Sequence, residues 1–529
     1  MFPLALFTCF LTAHAYIWPS PQLDALEAAR FNQNGHNAGG IANFVEPCDV
    51  FFTGGINFTG RSNIADWLRT AYHDMATHNV TDGTGGMDAS VRFAEEQERP
   101  ENVGDGIANT IGLLFTITDR YISMADSLTL GPIIAIENCG GPEIAFRGGR
   151  LDAGEPNMPG VPEPQQDLET HIASFVRQGF TQTEMIGLVS CGHTIGGVQH
   201  DFFPDIVPEL NDPNSTESVV HFDSTFVTFD NNLAIEYISG TTHDPLVVGF
   251  NDTTNSDKRI FGSDGNVTMG SFAKSRDFFQ STCAGLLARM FNTVPRGVQL
   301  TDVVTPLPVK PFNVQLILDR DTLKFSGEVR FWNMSEDASR TVFLLWDDHN
   351  GRTHQVSLLF SGVSTAVAGR YTAAWYSFNA TADTPFQAIE ATAGVTSMRF
   401  VVDGRLEDQG GLGFSVQDGV VFSNTSCATS QNPYAGHLEI AVRNGLQPAR
   451  VYLEQEVLDS VQRITVVDTE ITPPAHPPAN ASSPYAIWSI DLEDAVKSVW
   501  YTIGFELDDG AKFSSNDMHR LIDLPPCAS

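Results

Sequence analysis

Apolar positions follow two different periods along this chain, and the change falls near residue 300. Before it the spacing is helical. Asn63 to Ala76 predicts a helix behind a Ser62 cap, and Thr181-Gln182-Thr183-Glu184 is a capping box that opens an apolar helix running through Val189. Gly-rich loops separate these segments. Pro306-Leu307-Pro308 is a linker, and beyond it every second residue is apolar: Val314, Leu316 and Leu318, then Leu323 and Phe325, then Val329 and Phe331. Asn350-Gly351, Asp403-Gly404, Asp418-Gly419, Asn444-Gly445 and Asp509-Gly510 predict hairpin turns. A weak repeat is visible, because Phe414-x3-Asp418-Gly419-x2-Phe422-Ser423 returns as Phe505-x3-Asp509-Gly510-x2-Phe513-Ser514. The expected fold class is therefore a mainly α domain, residues 16–300, followed by all-β, sandwich-like domains at 308–430 and 431–529. The Pro-rich stretch Pro473–Pro478 is read as a loop inside the last.

The chain has 529 residues, enough for two to four domains, and 42% of them are hydrophobic, so packed cores are expected. Its 30 basic and 64 acidic residues give a formal charge of -34, which repels nucleic acid and anionic membranes. Pro3–Leu11 is an apolar run ahead of a small-residue cleavage site, Ala13-His14-Ala15, so residues 1–15 read as a secretory signal. No other stretch is apolar enough to span a bilayer as a helix. Nine N-x-S/T sequons between Asn57 and Asn480 agree with a secreted, extracellular glycoprotein. Beyond Cys9, six cysteines remain, Cys48, Cys139, Cys191, Cys283, Cys427 and Cys527; in an oxidising compartment they predict disulfides, whose pairing is open at this level.

Two constellations carry chemistry. In Arg69-Thr70-Ala71-Tyr72-His73-Asp74, Arg69 and His73 are four residues apart and share one helix face. A neutral imidazole beside a guanidinium is suited to splitting a peroxide, because the imidazole moves the proton and the guanidinium stabilises the negative charge that develops. Taken alone, the pair would equally fit a solvated face. In Ser190-Cys191-Gly192-His193-Thr194-Ile195-Gly196-Gly197, a histidine sits just past the end of a capped helix, in a turn of small residues. That setting lets a flat cofactor approach the backbone and lets the histidine serve as an axial iron ligand, or simply as a C-terminal cap.

Together these motifs resemble the plant-type haem peroxidase superfamily, closest to the secreted fungal class II peroxidases. The distal motif Arg-x-x-aromatic-His-Asp stands at Arg69–Asp74. The proximal motif Ser-Gly-Gly-His-[ST] stands at Ser190–Thr194, with Cys191 in place of a glycine. Met124-Ala125-Asp126-Ser127, Cys139-Gly140-Gly141-Pro142 and Gly149-Arg150-Leu151-Asp152-Ala153 lie between them in the family's order. The resemblance covers about residues 40–295 and implies a mainly α haem peroxidase domain with haem b and two calcium ions. It makes His73 the acid–base catalyst, Arg69 its electrostatic partner, Asn102 the acceptor that orients His73, His193 the iron ligand, and Asp264 the aspartate behind His193. Tyr72 takes the distal aromatic position and Phe222 the proximal one, where the intracellular tryptophan-radical type has Trp. Asp74, Gly86, Asp88 and Ser90 match one calcium site, and Thr194, Asp223, Thr225, Thr228 and Asp230 the other. Cys139 falls at a family disulfide position with Cys48 as its partner, and Cys191 reads as a buried free thiol.

The implied activity is hydrogen-peroxide-dependent one-electron oxidation of small phenolic or dye-like organic reductants through a ferryl intermediate. The family's manganese-ligand positions are Ser62, Asp66 and Gln199 here, one carboxylate in three, which disfavours manganese oxidation. Leu188 stands where lignin-oxidising members carry a surface Trp. The tail holds Trp332, Trp346, Trp375, Trp488 and Trp500; such rings can stack on polysaccharide, although core packing is the favoured reading. The competing functions are a haem-binding matrix or cell-wall protein with weak catalysis, and an extracellular polysaccharide-binding module without haem.

Overall fold

The structure, a computed structural model, describes residues 20–52, 58–378, 389–429, 435–474, 483–492, 500–514 and 519–527. The expected signal at residues 1–15, the sequons at Asn57, Asn379 and Asn480, and residues 475–478 of the Pro-rich loop lie outside the described residues. The chain divides into two compact units. One comprises Ala25–Pro306 together with Ser364–Tyr371. The other holds the strand-rich remainder, Leu307–Val363 and the described residues from Thr372 on, with the residues up to Asp24.

The first unit is helical. The predicted helix behind Ser62 runs Asn63–Met75 and buries Ile64, Trp67, Leu68, Ala71 and Met75, the i, i+3, i+4 stripe that its apolar spacing requires. It packs against Gly106–Leu114 and the almost wholly buried Met124–Asn138. The capping box is present as read: Thr181 accepts from the Glu184 backbone, Glu184 reaches back, and the helix Gln182–His193 follows. Residues 364–371 also belong to this unit, although far away in sequence; there the Val367 N–H donates to Gln33 Oε1 at 2.9 Å.

Two disulfides lie in this unit. Cys48 pairs with Cys139, as the resemblance implies. Cys191 is not a free thiol: it is bonded to Cys283, 92 residues away, and joins the helix Gln182–His193 to Arg276–Phe291. Nothing in the local sequence of either cysteine marks this partner; the packing of the two helices brings them together.

In the strand-rich unit the alternating segments form the hairpin strands Val309–Asp319 and Thr322–Trp332, which bury Leu316, Leu318, Leu323, Phe325, Val329 and Phe331. Fully burying side chains of this size stabilises by about 1.5–3 kcal/mol each. The split near residue 430 is corrected by the sheet order. Strand Val420–Ser423 pairs parallel with Val309–Asp319 on one side and antiparallel with Gly436–Arg443 on the other, so a single sheet crosses the expected boundary. One stretch of that sheet shares a core with the sheet of Val342–Asp347 and Ser397–Val402, and the other with the sheet of Pro448–Leu458 and Trp500–Leu507. Along Val420–Ser423 the side chains alternate between these cores: Val421 enters the first, Val420 and Phe422 the second. Cys427–Cys527 closes the last segment.

The sequence repeat is not a structural one. Asp509-Gly510 makes a hairpin turn that pairs Phe505 with Phe513, and Gly510 has φ of 83°. Asp418 instead lies buried and ion-paired with Arg443, while Phe414 and Phe422 sit in different sheets. Trp332, Trp346 and Trp375 are buried, which is the core-packing reading of these rings.

Candidate functional site

Helix Asn63–Met75 carries the first half of the site. His73 is 8% exposed, and its Nδ1 lies 2.6 Å from Asn102 Oδ1. The Asn102 amide nitrogen donates to the Glu96 carbonyl at 2.7 Å, so the amide oxygen must be the atom that faces the imidazole. Nδ1 therefore carries the proton, and Nε2 is the bare, basic nitrogen. Burial, and after it the Arg69 guanidinium, pulls His73 down to about 3; the Asn102 hydrogen bond opposes this. Arg69 stands one turn earlier and donates through Nη2 to the carbonyls of Glu101 and Val103 at 3.3 Å each, beside the Phe203 ring. Tyr72 turns the other way. It stacks on Phe175 with centroids 6.0 Å apart, and its hydroxyl donates to Gln178 Oε1 at 3.4 Å. Burial pushes this phenol up, so it stays neutral.

Helix Gln182–His193 carries the second half and packs against the first helix. Its last residue, His193, stacks flat on Phe222, with centroids 4.3 Å apart and an interplanar angle of 7°. The Phe222 N–H donates to the Gly196 carbonyl, which ties this ring to the motif's own turn. The glycines of the turn have different reasons. Gly196 has φ of 83°, and a Cβ on Gly197 would stand 2.3 Å from the Val220 carbonyl oxygen across a short strand pair. Gly192 faces open space, as a close approach by a flat group requires.

The aspartate behind His193 is Asp257, not Asp264. His193 Nδ1 lies 2.6 Å from Asp257 Oδ2, and Asp257 is 1% exposed. Asp264 instead accepts from the backbone N–H groups of Val267 and Thr268 and from the Thr268 hydroxyl, which caps helix Val267–Lys274. Both aspartates follow a serine, Ser256-Asp257 and Ser263-Asp264, seven residues apart. The dipeptide was thus a signal for either one, and only the placement of helix Ser256–Phe261 decides between them.

The first set of oxygen ligands is brought together. Asp74 is fully buried and accepts from the backbone N–H groups of Asp88, Ala89 and Val91. Asp88 and Ser90 face Asn157, a residue the sequence reading missed; its amide nitrogen lies 2.9–3.0 Å from both Asp88 oxygens and 2.9 Å from Ser90 Oγ. Burial and the neighbouring Asp88 push Asp74 well above the usual carboxylate range. Gly86 enters by its backbone, whose N–H donates to Thr77 Oγ1. In the second set, Thr194 Oγ1 donates to the Asp230 carbonyl at 2.6 Å, and Thr225 Oγ1 bridges Asp223 and Asp230. Asp223 Oδ2 is buried without a partner, and burial raises this group to about 7. Thr228 is drawn in by its backbone, which donates to the Thr225 carbonyl. Both sets offer hard oxygen donors, and the orphaned Asp223 oxygen suits a cation. Among the described residues, no group of three or more His, Cys, Asp or Glu side chains converges on one point.

Asp66, at one of the three manganese-ligand positions, is bound to Arg61 at 2.8 Å. Arg61 also holds Asp105 at 2.7 Å and Glu217 at 3.2 Å. One guanidinium therefore bridges three carboxylates.

Residues 56–272 match the family model described as peroxidase. The chain is 37% identical over 340 residues to a WSC domain-containing protein of Arthroderma benhamiae, covering 63% of this chain and 46% of that protein. It is 30% identical over 177 residues to the peroxisomal L-ascorbate peroxidase 5 of Arabidopsis thaliana, covering 33% of this chain and 58% of that one. It is 31% identical over 134 residues to the mitochondrial cytochrome c peroxidase of Candida albicans, covering 24% and 36%. The chain thus spans about half the length of the relatives it matches, or less.

Proposed function

We propose that this protein is a secreted haem peroxidase that reduces hydrogen peroxide with electrons from small phenolic or dye-like reductants. The observation that carries the reading is the pair of oriented imidazoles: His73 held by Asn102 with Nε2 bare, and His193 held by Asp257. The residues fit a haem. His193 would ligate its iron through Nε2, Phe222 would lie beside the ligand, and Gly192 would leave room for the macrocycle. When bound, haem supplies the site that accepts two oxidising equivalents from peroxide. The chain supplies the rest. His73 Nε2 takes a proton from one peroxide oxygen and returns it to the other as that oxygen leaves as water. Arg69 stabilises the negative charge on the departing oxygen. Asn102 keeps the working tautomer in place, and Asp257 accepts the His193 Nδ1–H, which makes the ligand more electron-donating.

Two calcium ions are part of this reading: one at Asp74, Gly86, Asp88 and Ser90, with Asn157 as a further oxygen donor if its amide is turned, and one at Thr194, Asp223, Thr225, Thr228 and Asp230. Ser62 and Gln199, beside the single carboxylate Asp66 at the three manganese-ligand positions, argue against manganese as the reductant. The closeness to secreted fungal class II enzymes rests on Phe222 and the export features of the sequence; the Arabidopsis and Candida relatives are by name ascorbate and cytochrome c peroxidases. The test is the absorption spectrum of the purified protein with one equivalent of peroxide, alongside His73→Ala. The reading expects a Soret band that changes with peroxide at once in the wild type and slowly in the variant. A protein that takes up no haem, or a variant as fast as the wild type, overturns it.

A further inference from the structure

Arg61 stands immediately before the Ser62 cap of helix Asn63–Met75 and is buried. Its guanidinium gathers acids from three segments. Nη2 meets Asp66 at 2.8 Å, one turn into the same helix, and Nη1 meets Asp105 at 2.7 Å and Glu217 at 3.2 Å. Asp105 precedes helix Gly106–Leu114, where an aspartate ordinarily caps the free N–H groups. It makes no such cap, and its carboxylate goes to Arg61 instead. A Cβ on Gly106 would stand 3.0 Å from the Asp66 carboxylate, so the start of this helix is packed directly against Asp66. Asp105 and Glu217 thus fix the Arg61 guanidinium in place beside Asp66.

Arg69 is held differently. Its Nη2 donates to the carbonyls of Glu101 and Val103, and neither acceptor carries a charge that would cancel its own. Asp66 does carry such a charge when ionised. It lies three residues before Arg69, and helical side chains lean toward the N-terminus, so Arg69 leans over the turn that carries Asp66. The Asp66 carboxylate nevertheless goes to Arg61, and among the described residues no ion pair joins it to Arg69. A guanidinium bonded to a carboxylate has its N–H donors occupied and its charge offset, and it stabilises a developing anion less.

We propose that Arg61 is a positioning residue for the peroxide reaction: it binds Asp66, keeps that carboxylate off Arg69, and so leaves the Arg69 guanidinium available to the departing oxygen. It acts through Arg69 rather than on peroxide, and the inference rests on the role given to Arg69 above. Without Arg61, Asp66 is a largely buried carboxylate that has lost its cation, and the cost of leaving it unpaired draws it to Arg69, its neighbour along the helix.

The experiment compares the wild type, Arg61→Gln, Arg61→Lys, Arg69→Leu and the double variant Arg61→Gln/Asp66→Asn, full-length and haem-loaded, at pH 7. It measures the second-order rate constant with peroxide and the equilibrium affinity for fluoride, a small anion whose binding to ferric iron a nearby unpaired cation favours. Arg61→Gln is expected to lose roughly 10–100-fold in both, toward the values of Arg69→Leu. Arg61→Lys, whose ammonium still claims Asp66, and the double variant, which has no Asp66 carboxylate to release, are expected to recover most of that loss. A residue that only steadied the fold would not be rescued by removing a second member of its own cluster. Wild-type values in Arg61→Gln, or a double variant as impaired as the single one, overturn the proposal. If Arg61→Gln does not fold, the other two decide: both should stay close to the wild type, and a loss in either as large as that of Arg69→Leu overturns it. Failure of the peroxidase reading is a separate result, a wild type without a Soret band. The crystal structure of Arg61→Gln then decides, with the Asp66 carboxylate bonded to the Arg69 guanidinium as the expected finding and an Asp66 that leaves Arg69 unpaired as the contrary one.

Discussion

In the proposed reaction, a proton on Nδ1 and a bare Nε2 make His73 ready to accept the first proton from peroxide, and a single side chain, Asn102, imposes that arrangement. Its position also sets the pH range. With His73 at about 3, the free base persists through neutral and mildly acidic pH and is lost only as the pH falls through about 3. The second-order rate of peroxide consumption should be flat from about pH 8 to about pH 4 and then fall; a midpoint near the ordinary imidazole value would contradict the burial argument. Because Arg69 lowers the affinity of His73 for its proton, Arg69→Leu should move that fall to higher pH while slowing the reaction at every pH. Replacing His73 by Ala should cost on the order of 10²–10⁴ in the same rate constant. Asp257 is the residue-scale lesson in the other direction. Its carboxylate is as short-ranged a feature as Asp264, and both stand in the same dipeptide, so no local pattern separates the capping acid from the one that meets His193.

The helix that ends at His193 is held at both ends by different means. At its start the Thr181–Glu184 box was legible, because its partners lie within four residues. Thr181→Ala should cost about 1 kcal/mol by thermal or chemical denaturation. Glu184 is also paired with Arg289, which holds its carboxyl at about 2, below the ordinary 4.5. A folded value below the unfolded one stabilises above the unfolded value. That contribution should therefore be intact above pH 4.5 and vanish as the pH falls toward about 2. The pair is largely solvent-exposed, so it is worth no more than about 1 kcal/mol, and comparing Glu184→Gln with the wild type at pH 7 and pH 3 measures it. At the other end, Cys191–Cys283 anchors the turn from helix Arg276–Phe291. Closing so long a loop stabilises by roughly 2–4 kcal/mol, so the double variant Cys191→Ala/Cys283→Ala should melt earlier. Haem retention should drop with it if the disulfide steadies His193.

At the scale of the whole chain, the change of period near residue 300 corresponds to the passage from the helical to the strand-rich unit. The interior of the latter differs from two beads on a string. Val420–Ser423 serves both cores, so the segments on either side of residue 430 should unfold in one transition. Phe422→Ala should cost about 3–5 kcal/mol and shift that transition as a whole. Two separable transitions in denaturant, or a stably folded fragment of residues 308–430, would show that the shared strand does not couple them.

What the sequence by itself determined is what depends on neighbours along the chain. The period of burial, the capping box, the placement of Arg69 and His73 on one helix face, and the hairpin at Asp509-Gly510 are all fixed within one or two turns of backbone. The tertiary structure decided every pairing between distant segments: Asp257 rather than Asp264 behind His193, Cys283 as the partner of Cys191, Asn157 facing Asp88, and one sheet running through the expected boundary at 430. The physical reason is common to all four. Several chemically equivalent partners existed in the sequence, and only the packing of one apolar face on another selects which of them comes within 3 Å.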